Sequence, residues 1–214
     1  MIWSYTFLNT LDICPHQCEA RYVSKTVPFV ETPAMQHGND VHKAMENRVG
    51  KGKVLPDQYR EFEQFARPLN NYPVQCEMKL GITRDGSACD FFANDVWGRG
   101  KLDVGVTIED TAMLLDWKTG NVYEKPFELE LQALLLKARF PKLNKITGKY
   151  VWLKESRLGQ TYDVSDTLAT WEKVCERVRL AEGYAKHGQW PKKPGPLCSY
   201  CDVMTCEHNR KGVK

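Results

Sequence analysis

Several things are missing from this sequence. No apolar run approaches the roughly 18 residues that a bilayer span requires, so no membrane-crossing helix is expected. There is no internal repeat and no low-complexity tract, which argues against solenoids and disordered arrays. Neither sign of charge dominates: 30 Lys plus Arg stand against 27 Asp plus Glu, a net charge of +3. That balance gives no bulk argument for nucleic acid, so any such reading must rest on local features. The first residues, MIWSYTFLNTLDICPHQCEARYV, have no basic leader and carry Asp12 and Glu19 early. They read as a helix and not as a secretory signal. The phosphate-loop pattern G-x-x-x-x-G-K-[ST] is also absent, so any motor working with this chain would be a separate one.

Cysteine is not scarce. Eight are present in 214 residues, with Cys14 and Cys18 near one end and Cys198, Cys201 and Cys206 near the other. A secreted disulfide scaffold is usually shorter and spreads its cysteines more evenly. In a reducing compartment, such clusters suggest metal or iron–sulfur ligation. The basic residues Lys192, Lys193, Arg210, Lys211 and Lys214 also gather in the tail. They form either a nucleic-acid contact or a solvated terminus.

The remaining composition, 42% hydrophobic and 27% charged, is that of an ordinary globular chain. Ser4 can cap a helix running to about Val23. Thr32 followed by Pro33 starts a second helix, expected to run to about Val49 and to be stopped by Gly50 and Gly52. A third is expected over PDQYREFEQFARPLNNY. The pattern then turns to strands: 74–82, 96–108 and 112–118, with RDGSA and EDT as turns. A helix over 127–140 follows, then strands in KYVWLK and QTYDV, then a long helix capped by Asp166. The expected fold is α/β or α+β, a central mixed sheet flanked by helices. Residues 1–190 are expected to form the main domain, and 191–214 a small cysteine-rich appendage packed on it.

The segment LLDWKTG, residues 114–120, ends an apolar run in a carboxylate and an ammonium. If EDT is a hairpin turn, Asp103 in GRGKLDVGV and Asp116 lie on neighbouring strands. Two close carboxylates repel by up to roughly 4 kcal/mol at an intermediate dielectric, and a divalent cation removes that cost. Hard oxygen ligands suit Mg²⁺ or Mn²⁺. In HGNDVHKAME, Gly38, His42 and Glu46 are spaced four apart and share a helix face. Gly38 would allow a close backbone approach, and His42 would point at the sheet. Lys118, two residues after Asp116, shares its face of the strand and could act on the attacking water or on phosphate charge. Gln132 on the next helix could hold the water or a phosphate. An acid-x-Lys pattern alone is weak, and Glu77-Met78-Lys79 is a second instance. The ordered combination is far more specific.

That combination resembles the RecB-like branch of the PD-(D/E)XK nuclease superfamily. The matching pieces are SYTFLNTLDICPHQC, GNDVHKAME, GRGKLDVGV, LLDWKTG and ELQALLLKA, in family order and covering most of residues 4–140. The tail CSYCDVMTC is similar to AddB-type nucleases and the nucleases of CRISPR adaptation, and the small size to stand-alone phage nucleases. The resemblance implies a restriction-endonuclease-like core. It implies His42, Asp103, Asp116 and the Trp117 carbonyl as metal ligands, Lys118 as the catalytic lysine and Gln132 as the glutamine of the following helix. Glu77 matches an acidic position with a supporting role. The family's tyrosine four residues after the glutamine is Leu136 here, so strand handling is expected to differ.

For the cysteines, two ligand sets are open. Cys14 with Cys198, Cys201 and Cys206 would hold a [4Fe–4S] cluster, as in the AddB-type proteins, although the last spacing is shorter than theirs. Alternatively, His208 would complete a Cys₃His zinc site within the tail. Cys18 is a substitute ligand, and Cys76, Cys89 and Cys175 read as ordinary packed residues. The expected activity is therefore metal-dependent deoxyribonuclease, an exonuclease on single-stranded DNA or DNA ends. It would serve recombination, repair or phage replication in bacterial or phage-infected cytoplasm, alongside a separate helicase or recombination protein. The rival from another class is a catalytically inactive DNA-binding module that retains the fold.

Overall fold

The computed structural model describes residues 1–211, so Lys214 lies outside the described residues. The chain groups into two compact units. One combines Trp3–Val30 with the chain from Glu172 onward, and the other is Glu31–Trp171.

In the first unit, Ser4 caps α1 (Tyr5–Ile13) by accepting from the Phe7 amide. The single helix expected as far as Val23 is broken. Cys14 is extended, and the chain restarts as α2 (Pro15–Cys18) and then a π turn, Glu19–Val23. The cause is Pro15, whose ring forbids the helical region to the residue before it. The tail forms a 3₁₀ turn over Pro196–Tyr200.

The second unit contains α3 (Pro33–Lys51), with Thr32 accepting from the Met35 amide and Gly52 left-handed at φ 66°. Both caps follow the local sequence, but the helix runs on through Gly50, which was expected to stop it with Gly52. The expected third helix is instead three short pieces, 3₁₀ Asp57–Phe62, α4 (Glu63–Ala66) and 3₁₀ Arg67–Asn71. Their apolar positions are consumed by packing, not by a continuous helical stripe: Tyr59, Phe62, Ala66 and Leu69 are all buried in one cluster with α3.

The strands are β1 (Val74–Ile82), β2 (Ala88–Cys89), β3 (Gly98–Ile108), β4 (Thr111–Lys118), β5 (Lys145–Trp152) and β6 (Arg157–Asp163). They form one sheet in the order β2-β1-β3-β4-β5-β6. All neighbours are antiparallel except β4 and β5, which are parallel. α5 (Phe127–Arg139) makes that parallel crossover. The chain therefore has the expected α+β fold, a six-stranded mixed sheet flanked by helices. The short β2 was not foreseen.

Alternation along β4 sorts its side chains. Leu115 and Trp117 pack with α3 in the buried cluster. Asp116 and Lys118 point the other way, to residues of α5. α5 seats closely because the sheet offers it glycines. A methyl group at Gly100 would meet Leu135 at 2.8 Å, and one at Gly148 would meet Leu129 at 3.1 Å. The final helix, α6 (Thr167–His187), begins where Asp166 accepts from the Ala169 amide at 3.0 Å.

Candidate metal centre

The β3–β4 ladder stops at Val104–Leu115. One step further, in the same register, Asp103 and Asp116 would be partners. There the strands part, and the Trp117 amide donates to Asp103 Oδ2 at 2.9 Å. A carboxylate thus replaces the lost ladder bond. Both aspartates are buried, at 8% and 3% exposure.

On the other side of β3, the pairs Cys76–Val104 and Met78–Leu102 bracket Glu77 opposite Asp103, and the ladder skips that pair. Glu77 has φ 57°; the other non-glycine residues with positive φ, Lys25, Glu109 and Ser156, lie outside helices and strands. Such a conformation inside a strand carries strain and marks a site worth attention. Glu77 is ion-paired with Lys101.

α3 supplies the third side chain. His42 Nδ1 lies 3.2 Å from Asp103 Oδ1. Among the described residues, His42, Glu77 and Asp103 are the group of three metal-ligating side chains whose donor atoms lie within 4.8 Å of one another. One imidazole and two carboxylates can hold a divalent cation. Burial alone would lower the imidazole's pKa; the hydrogen bond and charge of Asp103, with Asp116 behind it, raise it instead. His42 and Glu77, with Gly38, Asn39, Glu46 and Lys101, line a cleft of about 370 Å³, and Asp103 lies buried behind them. Gly38 does permit a close neighbour, but it is a side chain: a methyl group there would lie 3.3 Å from Thr119 Oγ1.

Asp116 and Lys118 belong to an adjoining network. Lys118 Nζ sits 2.6 Å from Asp116 Oδ2 and 2.8 Å from Glu128 Oε2. Its ammonium also lies 5.3 Å from the centroid of the buried Tyr150 ring. Gln132 Nε2 donates to Asp116 Oδ1 at 2.9 Å. Burial, then the charges of Glu128 and Asp103, push Asp116 up to about 7 against the opposing pull of Lys118. Burial alone would push Lys118 down, but Asp116 and Glu128 hold it well above the ordinary lysine range. The buried Gln132 Oε1 has no hydrogen-bond partner among the described residues, whereas Asp116 Oδ2 is held by the Lys118 ammonium. An orphaned acceptor of this kind suits a cation or a bound water.

The structure therefore joins His42 to Asp103, and Asp116 to Lys118 and Gln132, with the Trp117 backbone tied to the first pair. The tightest ligand trio contains Glu77 where Asp116 was expected. Glu128 was not singled out from sequence, although it stands four residues before Gln132 on the same helical face. Leu136, in the family's tyrosine position, is fully buried.

In the other unit, Cys14, Cys198, Cys201, Cys206 and His208 line one cavity. All eight cysteines are free thiols. The Cys201 thiol is raised, first by burial and further by its neighbours Asp202, Cys14 and Cys206. The Gly195 amide donates to Cys198 Sγ at 3.4 Å. No three of these donors fall within 4.8 Å of one another. Sulfurs about 2.3 Å from one zinc would sit roughly 3.8 Å apart, so this pocket is wider than a mononuclear site. Cys18 is not in its lining; its thiol is buried, donates to the Phe7 carbonyl and is pushed up to about 12 by burial. The basic tail is partly spent internally: Lys192 pairs with Glu207 at 2.6 Å, and Lys193 donates to the Asp12 carbonyl at 2.8 Å.

No protein-family model matches the chain, and no curated protein matches it. Its fold is shared. Among 25 matching chains of known structure is one described as "Crystal structure of SSO0001", with a TM-score of 0.55 at 16% identity. The match covers 97% of this chain and 86% of that one. At that identity the likeness concerns the fold alone.

The Asp116 shift has a measurable consequence. Its folded value of about 7 lies above the ordinary 3.8, so between those limits the folded state binds the extra proton. Its contribution to stability is full below about pH 4 and is lost as pH rises through 7. Urea unfolding of Asp116→Asn at pH 4.5 and 7.5 should show a smaller fall in stability over this interval than wild type.

Proposed function

We propose that this chain is a divalent-cation-dependent deoxyribonuclease, an exonuclease acting on single-stranded DNA or DNA ends. The observation that carries the reading is the convergence of His42, Glu77 and Asp103 within 4.8 Å beside the Asp116–Lys118–Gln132 network. The order of the motifs along the chain supports placing it with the RecB-like PD-(D/E)XK nucleases.

His42, Glu77 and Asp103 would hold Mg²⁺ or Mn²⁺, with Asp116 and the Trp117 carbonyl completing the site. The bound cation would polarise a phosphoryl oxygen and make its own water more acidic. The protein's own groups do the rest. Lys118, kept charged by Asp116 and Glu128, faces developing negative charge on the phosphate. Gln132 fixes Asp116 through its amide N–H and leaves its unpaired oxygen to accept a hydrogen bond from the attacking water. The Glu128 contact restricts where Lys118 can point, and the Tyr150 ring restricts it from another side. The biological setting that fits is DNA recombination, repair or phage replication in bacterial or phage-infected cytoplasm, with any helicase on a separate chain.

The cysteine pocket would hold a [4Fe–4S] cluster through Cys14, Cys198, Cys201 and Cys206, in a structural role. Zinc held by Cys198, Cys201 and Cys206 with His208 is the other reading of the same donors. Iron and acid-labile sulfide should be found in anaerobically purified protein and be lost in Cys14→Ser; zinc without iron would reverse the assignment.

End-labelled single- and double-stranded DNA incubated with Mn²⁺, Mg²⁺ or EDTA tests the activity. Cleavage should require the metal and fall at least a hundredfold in Lys118→Ala, as removal of one transition-state contact typically does. DNA binding without cleavage in any metal would leave the inactive binding module as the reading.

A further inference from the structure

The β2–β3 connection, residues 90–97, carries two phenylalanines that no part of the metal centre uses. Phe92 is 73% exposed. Phe91 and Phe92 meet edge to face, with centroids 4.9 Å apart. Two cations from neighbouring strands lie over them. The Arg99 guanidinium is 4.9 Å from the Phe91 centroid and 5.9 Å from that of Phe92. Lys79 Nζ is 5.4 Å from Phe92 and 6.0 Å from Phe91. Among the described residues, neither cation has a carboxylate partner; Arg99 donates only a long bond, 3.4 Å, to the Phe91 carbonyl.

The loop is held firmly. Ala93 donates to the Asp90 carbonyl, Val96 to Ala93, and Trp97 to Ile82, all at 3.2 Å or less. Trp97 is buried against Trp171 with centroids 5.2 Å apart. Gly81 leaves room for the loop's first turn, since a methyl group there would come within 2.9 Å of the Asp90 carbonyl oxygen. The exposed ring is therefore presented on a fixed support, and its exposure is not the result of a loose segment.

We propose that Phe91, Phe92, Lys79 and Arg99 form a base-stacking subsite for unpaired nucleic acid, leading a single strand to the metal centre. This rests on the nuclease reading above and adds a subsite that its motifs do not include. An exposed aromatic face takes any unpaired base, whereas the bases of a duplex are stacked on one another and out of reach. The unneutralised ammonium and guanidinium match the phosphates on either side of a stacked base. The position fits as well. Lys79 stands two residues from Glu77 on β1, and Arg99 two residues from Lys101 on β3, where Glu77 and Lys101 border the metal centre. Two residues of strand span about 7 Å, close to one nucleotide step of an extended single strand. Asp90 and Asp95 lie on the same loop.

Fluorescence anisotropy with labelled oligo(dT) and with a hairpin duplex, in EDTA so that nothing is cut, reads the subsite directly. Phe92→Ala should weaken binding of the single strand about tenfold and leave the duplex affinity unchanged; Phe92→Trp should restore it. Arg99→Gln should weaken single-strand binding and flatten its salt dependence. Equal single-strand affinity of wild type and Phe92→Ala, or no single-strand binding by wild type, would overturn the proposal. A wild type that binds through Phe92 but cuts nothing in Mn²⁺ would instead sink the nuclease reading and leave the subsite standing.

Discussion

The site depends on a single exchange of hydrogen bonds at Asp103. Past Val104 the β3–β4 ladder has no next rung, and a free Trp117 amide in a buried position would cost a lost hydrogen bond. Asp103 supplies that bond with one oxygen and meets His42 with the other. The carboxylate thus holds the strands apart at a defined width and fixes α3 against their opening. Alternation along β4 turns Asp116 toward α5, where Gln132 donates to it and Lys118 bridges it to Glu128. The Asp103 bridge links the two networks directly, at the end of the paired β3–β4 ladder.

Acidic groups crowd this site. Asp103, Asp116, Glu77 and Glu128 converge, and the compensating groups are Lys118, Lys101 and His42. The lysines hold carboxylates that would otherwise repel, and Asp116 is still displaced strongly toward its neutral form. The trio has a raised histidine and a strained Glu77, and in the adjoining network the buried Gln132 Oε1 has no hydrogen-bond partner among the described residues. Sites that stay unsatisfied in an otherwise well-packed core are where function is expected.

Much of this was legible in the sequence, for physical reasons that differ by residue. Caps and stops are local, so Ser4, Thr32, Gly52 and Asp166 act as their types dictate. Strand alternation carried the hairpin and, with it, the neighbourhood of Asp103 and Asp116. The helical spacing of Gly38 and His42 carried the contact with β3. What failed depended on tertiary context. The interruption at Cys14 follows from Pro15 and was readable, but an amphipathic pattern overrode it. The short helical pieces after Pro56 arise from packing around Tyr59 and Phe62. Glu77 looked like a supporting residue because only the register of β1 against β3 puts it opposite Asp103. Glu128 becomes visible only once α5 is seated over β4 and Lys118 reaches it.

The central claim is that His42, Glu77 and Asp103 hold a divalent cation, and Mn²⁺ binding followed by electron paramagnetic resonance of the free ion tests it most directly. The account predicts uptake of Mn²⁺ by wild type that is strongly weakened in both His42→Ala and Glu77→Gln, with folding preserved in circular dichroism. Absence of uptake by wild type, or uptake unchanged in both variants, would contradict it.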